Sequence, residues 1–227
     1  MLYYGGMVMK FIATVVLLTT ALGAQTQKIP GGSSSGMTLV QSLTASSSAT
    51  LDFTSCITSK YDTYVFELDN LMPGTDLVEL HVRFSTNGGT SWDSSATYVW
   101  WGTYQTPGSN SPGGFYPSSW GVPPYPNVTE MKLNDTTAIG SLGNSSNSGL
   151  TGTLTLYAPL NSGKHKTFQG SYSFIYADPG GSYPSNLYGI PFWQGYYASN
   201  TPVNGVRFYM SSGNIASGVI RCYGISK

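Results

Sequence analysis

Few side chains in this sequence have the type and spacing that chemistry requires. His81 and His165 are its only imidazoles. Neither stands at a metal-ligand spacing from a cysteine or carboxylate, as a zinc-type centre would require. His81 falls on the polar side of an alternating segment, and His165 sits between Lys164 and Lys166 at a turn, so both are expected in solvent. Glycoside hydrolysis needs two carboxylates across a cleft. The ten acidic residues are scattered over turns and outer strand faces and single out no pair. Arg83, Arg207 and Arg221 lie mid-strand, with nothing around them that makes a clamp for a substrate carboxylate. A nucleophile elbow, a phosphate-binding loop and a dinucleotide fingerprint are all missing from the sequence. The expectation is a protein with no catalytic residues, no metal and no cofactor.

Binding chemistry is better represented. From Tyr98 to Pro126 the chain runs YVWWGTYQTPGSNSPGGFYPSSWGVPPYP, dense in aromatic residues, proline and glycine. Proline lacks the donor a central strand needs, so after its first few residues this region cannot be a central strand and is expected to form a long ordered loop. Trp100, Trp101, Tyr104, Tyr116, Trp120 and Tyr125 could make a stacking platform there for sugar rings or a protein partner. The same loop could instead fold its rings back over an open sheet edge.

The stretch STNGGTSW, residues 85–92, resembles the Asp-box of sialidase propellers, with Asn87, Gly88, Gly89 and Trp92 at its defining positions. One copy is present, and a propeller of several blades does not fit in roughly 190 residues. Asn-Gly is a hairpin dipeptide in its own right, so a structural turn is expected. Cys56 and Cys222 lie near the two ends of the core. They read either as a disulfide joining first strand to last or as two small buried hydrophobes. Strand parity turns Cys222 inward with Ile220 and Cys56 outward with Asp52 and Thr54.

The elements that must position these groups are strands. Val78, Leu80, Val82 and Phe84 alternate with Glu79, His81 and Arg83. Leu150, Leu154 and Leu156 alternate with threonines, Phe168, Tyr172, Phe174 and Tyr176 with Gln169, Ser171 and Ser173, and Tyr64, Phe66 and Leu68 with Glu67 and Asp69. GVRFYM and GVIRCYGI close the chain in the same style. This period of two marks half-buried antiparallel strands. Turn sequences separate them at 72–76, 87–89, 161–163, 178–181 and 211–214. The expected fold is all-β, an antiparallel β-sandwich of jelly-roll-like kind, forming one domain over 38–227.

Only 9% of residues are charged, against about 25% in an average domain, and ten basic residues balance ten acidic ones. Without a Lys/Arg cluster, nucleic acid is excluded as a partner. Residues 1–24 carry one lysine, an apolar run from Phe11 to Leu22 and a small-residue site, read as a signal peptide or an apolar assembly arm. Residues 25–37 read as a flexible linker. Asn127, Asn134 and Asn144 open glycosylation sequons, a pattern that arises easily by chance in so Ser/Thr-rich a chain.

The segment SLTASSSATLDFTSCITSKYDTYVFELDNLMPGTDLVELHVRFSTNGGTSW, taken with the closing ASGVIRCYGIS, is similar to a recurring pattern of bacteriophage virion proteins. The similarity covers about 42–92 and 217–226, with Asn87-Gly88-Gly89 in place of Asp-Gly-Gly and cysteine at 56 and 222. It implies a domain of the tail-fibre, receptor-binding or capsid-fibre type, usually a β-sandwich and often a trimer. The partners it implies are other virion proteins or a glycan or receptor of the host surface. The alternative is a secreted or cell-surface carbohydrate-binding module.

Overall fold

The computed structural model describes residues 36–95, 97–105, 122–134, 141–175 and 187–226. All regular structure among them is strand: β1 (Met37–Thr44), β2 (Thr50–Phe53), β3 (Thr63–Pro73), β4 (Leu80–Ser85), β5 (Tyr98–Gln105), β6 (Val122–Val128), β7 (Met131–Lys132), β8 (Leu150–Tyr157), β9 (Lys166–Ile175), β10 (Leu187–Tyr197), β11 (Gly205–Met210) and β12 (Ile215–Ile225). They pair antiparallel throughout. A large sheet has the order β1-β12-β3-β8-β9-β10-β5-β6, and a small one has the order β2-β11-β4-β7. The protein is the expected all-β sandwich, built from two unequal sheets.

Alternation explains which face each strand turns inward. Tyr64, Phe66 and Leu68 of β3, Leu154 and Leu156 of β8, and Phe168 and Phe174 of β9 are buried, as the pattern predicts. From the small sheet, Phe53, Phe84 and Phe208 meet them. Phe53 packs edge-on to Phe66 with ring centroids 5.3 Å apart, and Phe84 packs edge-on to Tyr197 at 5.5 Å and to Phe168 at 6.2 Å. Such edge-to-face pairs add to the apolar burial that holds the two layers together.

Two crowded places on the inner side of the large sheet need glycine. Gly195 lies opposite Phe168, and Gly170 lies opposite Trp193. A Cβ at Gly195 would fall 2.1 Å from the Val99 carbonyl and 2.7 Å from the Phe168 ring. One at Gly170 would fall 2.7 Å from the Trp193 indole nitrogen. Each large ring therefore lies across a partner strand that has no side chain beneath it.

Three expectations are corrected. The stretch 98–126 is not one loop: its ends form β5 and β6, which pair with each other. Pro123, Pro124 and Pro126 are accommodated because β6 is the last strand of the large sheet among the described residues and pairs with β5 in an irregular register, shifted on both sides of the Trp100–Tyr125 pair. His81 is 7% exposed and Glu79, just before β4, 5%, so neither stands in solvent as expected, while Arg83 is half-buried. The parity assigned to Cys56 also fails. β2 ends at Phe53, the chain bends, and Cys56 turns into the core beside Cys222. Both thiols are free, and hydrogen bonding to Cys56 together with burial pushes the Cys222 thiol well above its ordinary range. Of the turns, 178–181 lies outside the described residues, as does Tyr176.

Candidate functional site

Adjacent residues of a strand point to opposite sides, and this decides the fate of the predicted platform. Trp100 is 2% exposed and belongs to the core, while Trp101, one residue on, is 40% exposed on the outer face of the large sheet. Tyr104 lies further along β5, and Tyr125 sits on β6 opposite Trp100. Tyr116 and Trp120 lie outside the described residues. The six rings therefore do not share one surface, because Trp100 and Trp101 cannot both face a ligand.

What Trp101 does share a surface with comes from β10. Its cross-strand partner is Gln194, flanked by Phe192 and Tyr196, both 39% exposed. The Trp101 and Phe192 rings meet edge-on with centroids 6.0 Å apart. Tyr196 stacks on His165 at 5.5 Å, with the rings 12° from parallel. Two-residue steps along a strand are about 6.7 Å, so Phe192, Gln194 and Tyr196 extend over roughly 13 Å. Beyond this aromatic strip the outer face continues across β9 and β8 as Thr167, Gln169, Ser171 and Ser173, then Thr151, Thr153 and Thr155. Lys166 is the one charged residue in β5, β8, β9 and β10, and its side chain is buried on the other side.

Two internal devices hold the strip in place. The Lys166 ammonium donates to the carbonyls of Asn161 and Lys164, both at 2.6 Å, and of Ser199 at 3.3 Å. This fixes the turn carrying His165 against the end of β10, and burial pulls the lysine's pKa down. Asp93 clamps the other end. Its carboxylate accepts hydrogen bonds from Tyr197 Oη at 2.5 Å, Thr97 Oγ1 at 3.1 Å and the Ser95 amide at 2.7 Å. Tyr98 donates to the Asp93 carbonyl and accepts from the Phe84 amide. Burial alone would raise the Asp93 carboxyl, but these donors outweigh it and hold it below its ordinary range. β4, β5 and β10 are thereby tied at one point.

The Asp-box-like stretch is a turn. Asn87 Oδ1 accepts from the Ser91 amide at 2.9 Å, and Ser85 Oγ accepts from the Gly89 amide at 2.9 Å. Gly88 and Gly89 have φ of 67° and 85°, which glycine adopts without strain. Trp92 packs under the Arg207 guanidinium, 4.5 Å from its ring centroid.

Compared with protein-family models, curated proteins and solved structures, the chain has no match. Function is therefore argued from its surfaces.

The outer face of the small sheet is the other contender. Glu130 accepts from Arg83 and from Tyr209 Oη at 3.0 Å, and lies 3.8 Å from His81 Nδ1. Glu79 Oε2 is 2.8 Å from His81 Nε2 and 3.1 Å from Lys132 Nζ. Arg207 forks onto Asp52 with contacts of 2.8 and 2.7 Å. Burial works to raise the Glu130 carboxyl, yet Arg83, His81 and Tyr209 together hold it below its ordinary range. An open groove of about 370 Å³ borders the network, lined by Trp100, Val128, Thr129, Glu130 and Lys132. A carboxylate held ionised by three neighbours is a poor proton donor at neutral pH. Every charged group of this face is already engaged by another, so the network locks the sheet together. Among the described residues no group of three His, Cys, Asp or Glu is placed to hold a metal ion.

Sequence reading missed Phe192, Gln194, Tyr196 and the stacking role of His165. It also left Asn134 as a sequon, whereas its amide is buried and mimics a strand, accepting from the Leu80 amide at 2.7 Å and donating to the Val78 carbonyl at 3.0 Å. Gly195 was the usable signal for β10. Between Trp193 and Tyr197 it marks a crowded inner side, which leaves Phe192, Gln194 and Tyr196 outside.

Proposed function

We propose that this chain is a non-enzymatic surface protein of a virus particle, which attaches the particle to its host or decorates its shell. The exposed strip of Trp101, Phe192 and Tyr196 on a rigid sheet carries this reading. Large amphipathic rings held on strands lose little conformational entropy on contact, which is why such rings anchor interfaces. The similarity of the two ends of the core to virion surface domains supports a particle location. A secreted or cell-surface carbohydrate-binding module would use the same strip, and the charge-free surroundings favour it as the second reading.

The test is location followed by competition. Antibody raised to the chain is expected to label the outside of intact virus particles from the culture that produces it. Free protein is expected to block their adsorption to host cells. The doubly substituted Trp101→Ala, Phe192→Ala protein should compete about thirtyfold less well, the loss corresponding to roughly 2 kcal/mol of ring contact. Soluble protein in the medium, with unlabelled particles, would overturn the virion reading in favour of the secreted module.

A further inference from the structure

Resting on the reading of this face as the contact surface, we propose that its ligand is a neutral glycan chain lying along β10. Phe192, Trp101 and Tyr196 provide the stacking positions, and the amides of Gln194 and Gln169 take the hydroxyls. The occupant follows from the match between two features of the surface. A sugar ring has an apolar face of C–H groups and a rim of hydroxyls, so it needs flat apolar side chains beside uncharged donors and acceptors. The strip provides the former with Trp101 and Phe192 edge to face at 6.0 Å. The rows beside it provide the latter. Thr155, Gln169, Gln194 and Trp101 are successive register partners across β8, β9, β10 and β5. They span three strand gaps of about 4.8 Å each, roughly 14 Å in all. A second row, Tyr157, Thr167, Tyr196 and Val99, runs beside it in the same register.

Charge decides the class of glycan. The four strands present no carboxylate, ammonium or guanidinium on this face. A uronate, sialic acid or sulfate would lose hydration there without gaining a counter-charge. The nearest cation along β9, Lys166, is committed to three carbonyls on the inner side, and Lys164 stands outside the strands in the preceding turn. An acidic or basic protein partner fails by the same argument. The His165–Tyr196 stack lies at one end of the strip, and the proposed glycan chain passes over its three exposed rings.

Affinity electrophoresis of the whole chain through gels containing hydroxyethyl cellulose, laminarin, galactomannan, xylan or soluble starch tests this, with polygalacturonate and heparin as anionic probes. The expected result is retardation by at least one neutral polymer, unchanged by added salt. That retardation should weaken about tenfold in Trp101→Ala and in Phe192→Ala, with the melting temperature of both variants near that of the parent. Retardation by none of the neutral polymers, retardation only by the anionic ones, or an unaltered Trp101→Ala protein would each overturn the proposal. Self-association that depends on Trp101, found by sedimentation with no polymer bound, would overturn it as well and make the face an interface between copies. The two readings can fail separately. Labelled particles whose protein ignores every neutral polymer leave attachment standing without this ligand, and a polymer-binding protein never found on particles leaves the ligand without the virion.

Discussion

The two outer faces of this sandwich are built from similar strands and treat polarity in opposite ways. On the small sheet, polar side chains are charged and engage one another: Asp52 with Arg207, Glu130 with Arg83 and Tyr209, Glu79 with His81 and Lys132. On the β8, β9, β10 and β5 half of the large sheet, polar side chains are hydroxyls and amides, exposed or half-buried, beside exposed rings. The β3 and β12 half resembles the small sheet, with Arg221 3.1 Å from Asp69 and 3.5 Å from Glu67. Interlocked charges stabilise a fold and leave little for a ligand to gain, because binding would have to break existing pairs. Neutral groups outside such networks contribute little to folding and leave interaction capacity for a partner, the Thr151 hydroxyl being one that already accepts, from the Asn70 amide at 3.1 Å. With only 9% charged residues, the protein places none of them on the outer face of these four strands.

The contrast is sharpest in stability. Glu130→Ala removes the acceptor of Arg83 and Tyr209 and a carboxylate close to His81, leaving a half-buried guanidinium and a buried imidazole beside an empty place. Loss of one partner from such a network is expected to cost about 2–3 kcal/mol. Urea unfolding should show this as a lower midpoint with an unchanged slope. Trp101→Ala, a larger truncation in volume, should cost under about 1 kcal/mol because the ring is already partly in water. Equal losses from the two substitutions would show that the faces are not divided between folding and binding.

Acid separates them next. The Glu130 and Asp93 carboxyls are both held below their ordinary ranges, so the folded state favours their ionised forms. The stability they contribute is fully present above the unfolded values of 4.5 and 3.8, and is lost as pH falls through the lower folded values. The melting temperature should therefore hold between neutrality and about pH 5 and drop below that. Glu130→Gln and Asp93→Asn should flatten the drop, at the expense of a lower plateau. A melting temperature that falls as steeply in both variants as in the parent would place the acid sensitivity elsewhere.

How far the fold was legible follows from the same division. Where one side of a strand is apolar and the other polar, as in Leu150, Leu154 and Leu156 against Thr151, Thr153 and Thr155, alternation reveals both the strand and its inner face. β10 was opaque because both of its sides are aromatic: Trp193 and Tyr197 go inward, Phe192 and Tyr196 outward, and no period of two emerges. His81 was misplaced for the converse reason. A polar side was read as solvent, whereas Glu79, two residues away, and the 130–132 segment with Glu130 and Lys132, about fifty positions on, close around it. The prolines of β6 argued only against a central strand, and the region was read as a loop because a single sequence does not reveal which strand ends a sheet. The exposed aromatic strip was visible only in half, through Trp101, since its other members arrive by pairing between residues about ninety positions apart.

The smallest expected effect on folding is also the most discriminating. Gln169→Lys places an ammonium in the middle of the neutral field, at a position that is exposed and carries a strand partner in both Thr155 and Gln194. Its stem can lie along the sheet with the charge in water, so stability should change by less than about 0.5 kcal/mol. Binding to a neutral polymer should nevertheless weaken, because the ligand must cover a hydrated charge that gains no partner. An anionic polymer should gain affinity that salt removes. The same substitution type on the small sheet, Tyr209→Lys, should do the reverse, disturbing folding by intruding on Glu130 and Arg83 while leaving polymer retardation alone. If Gln169→Lys leaves every retardation unchanged, neutrality of the face is incidental to what it binds.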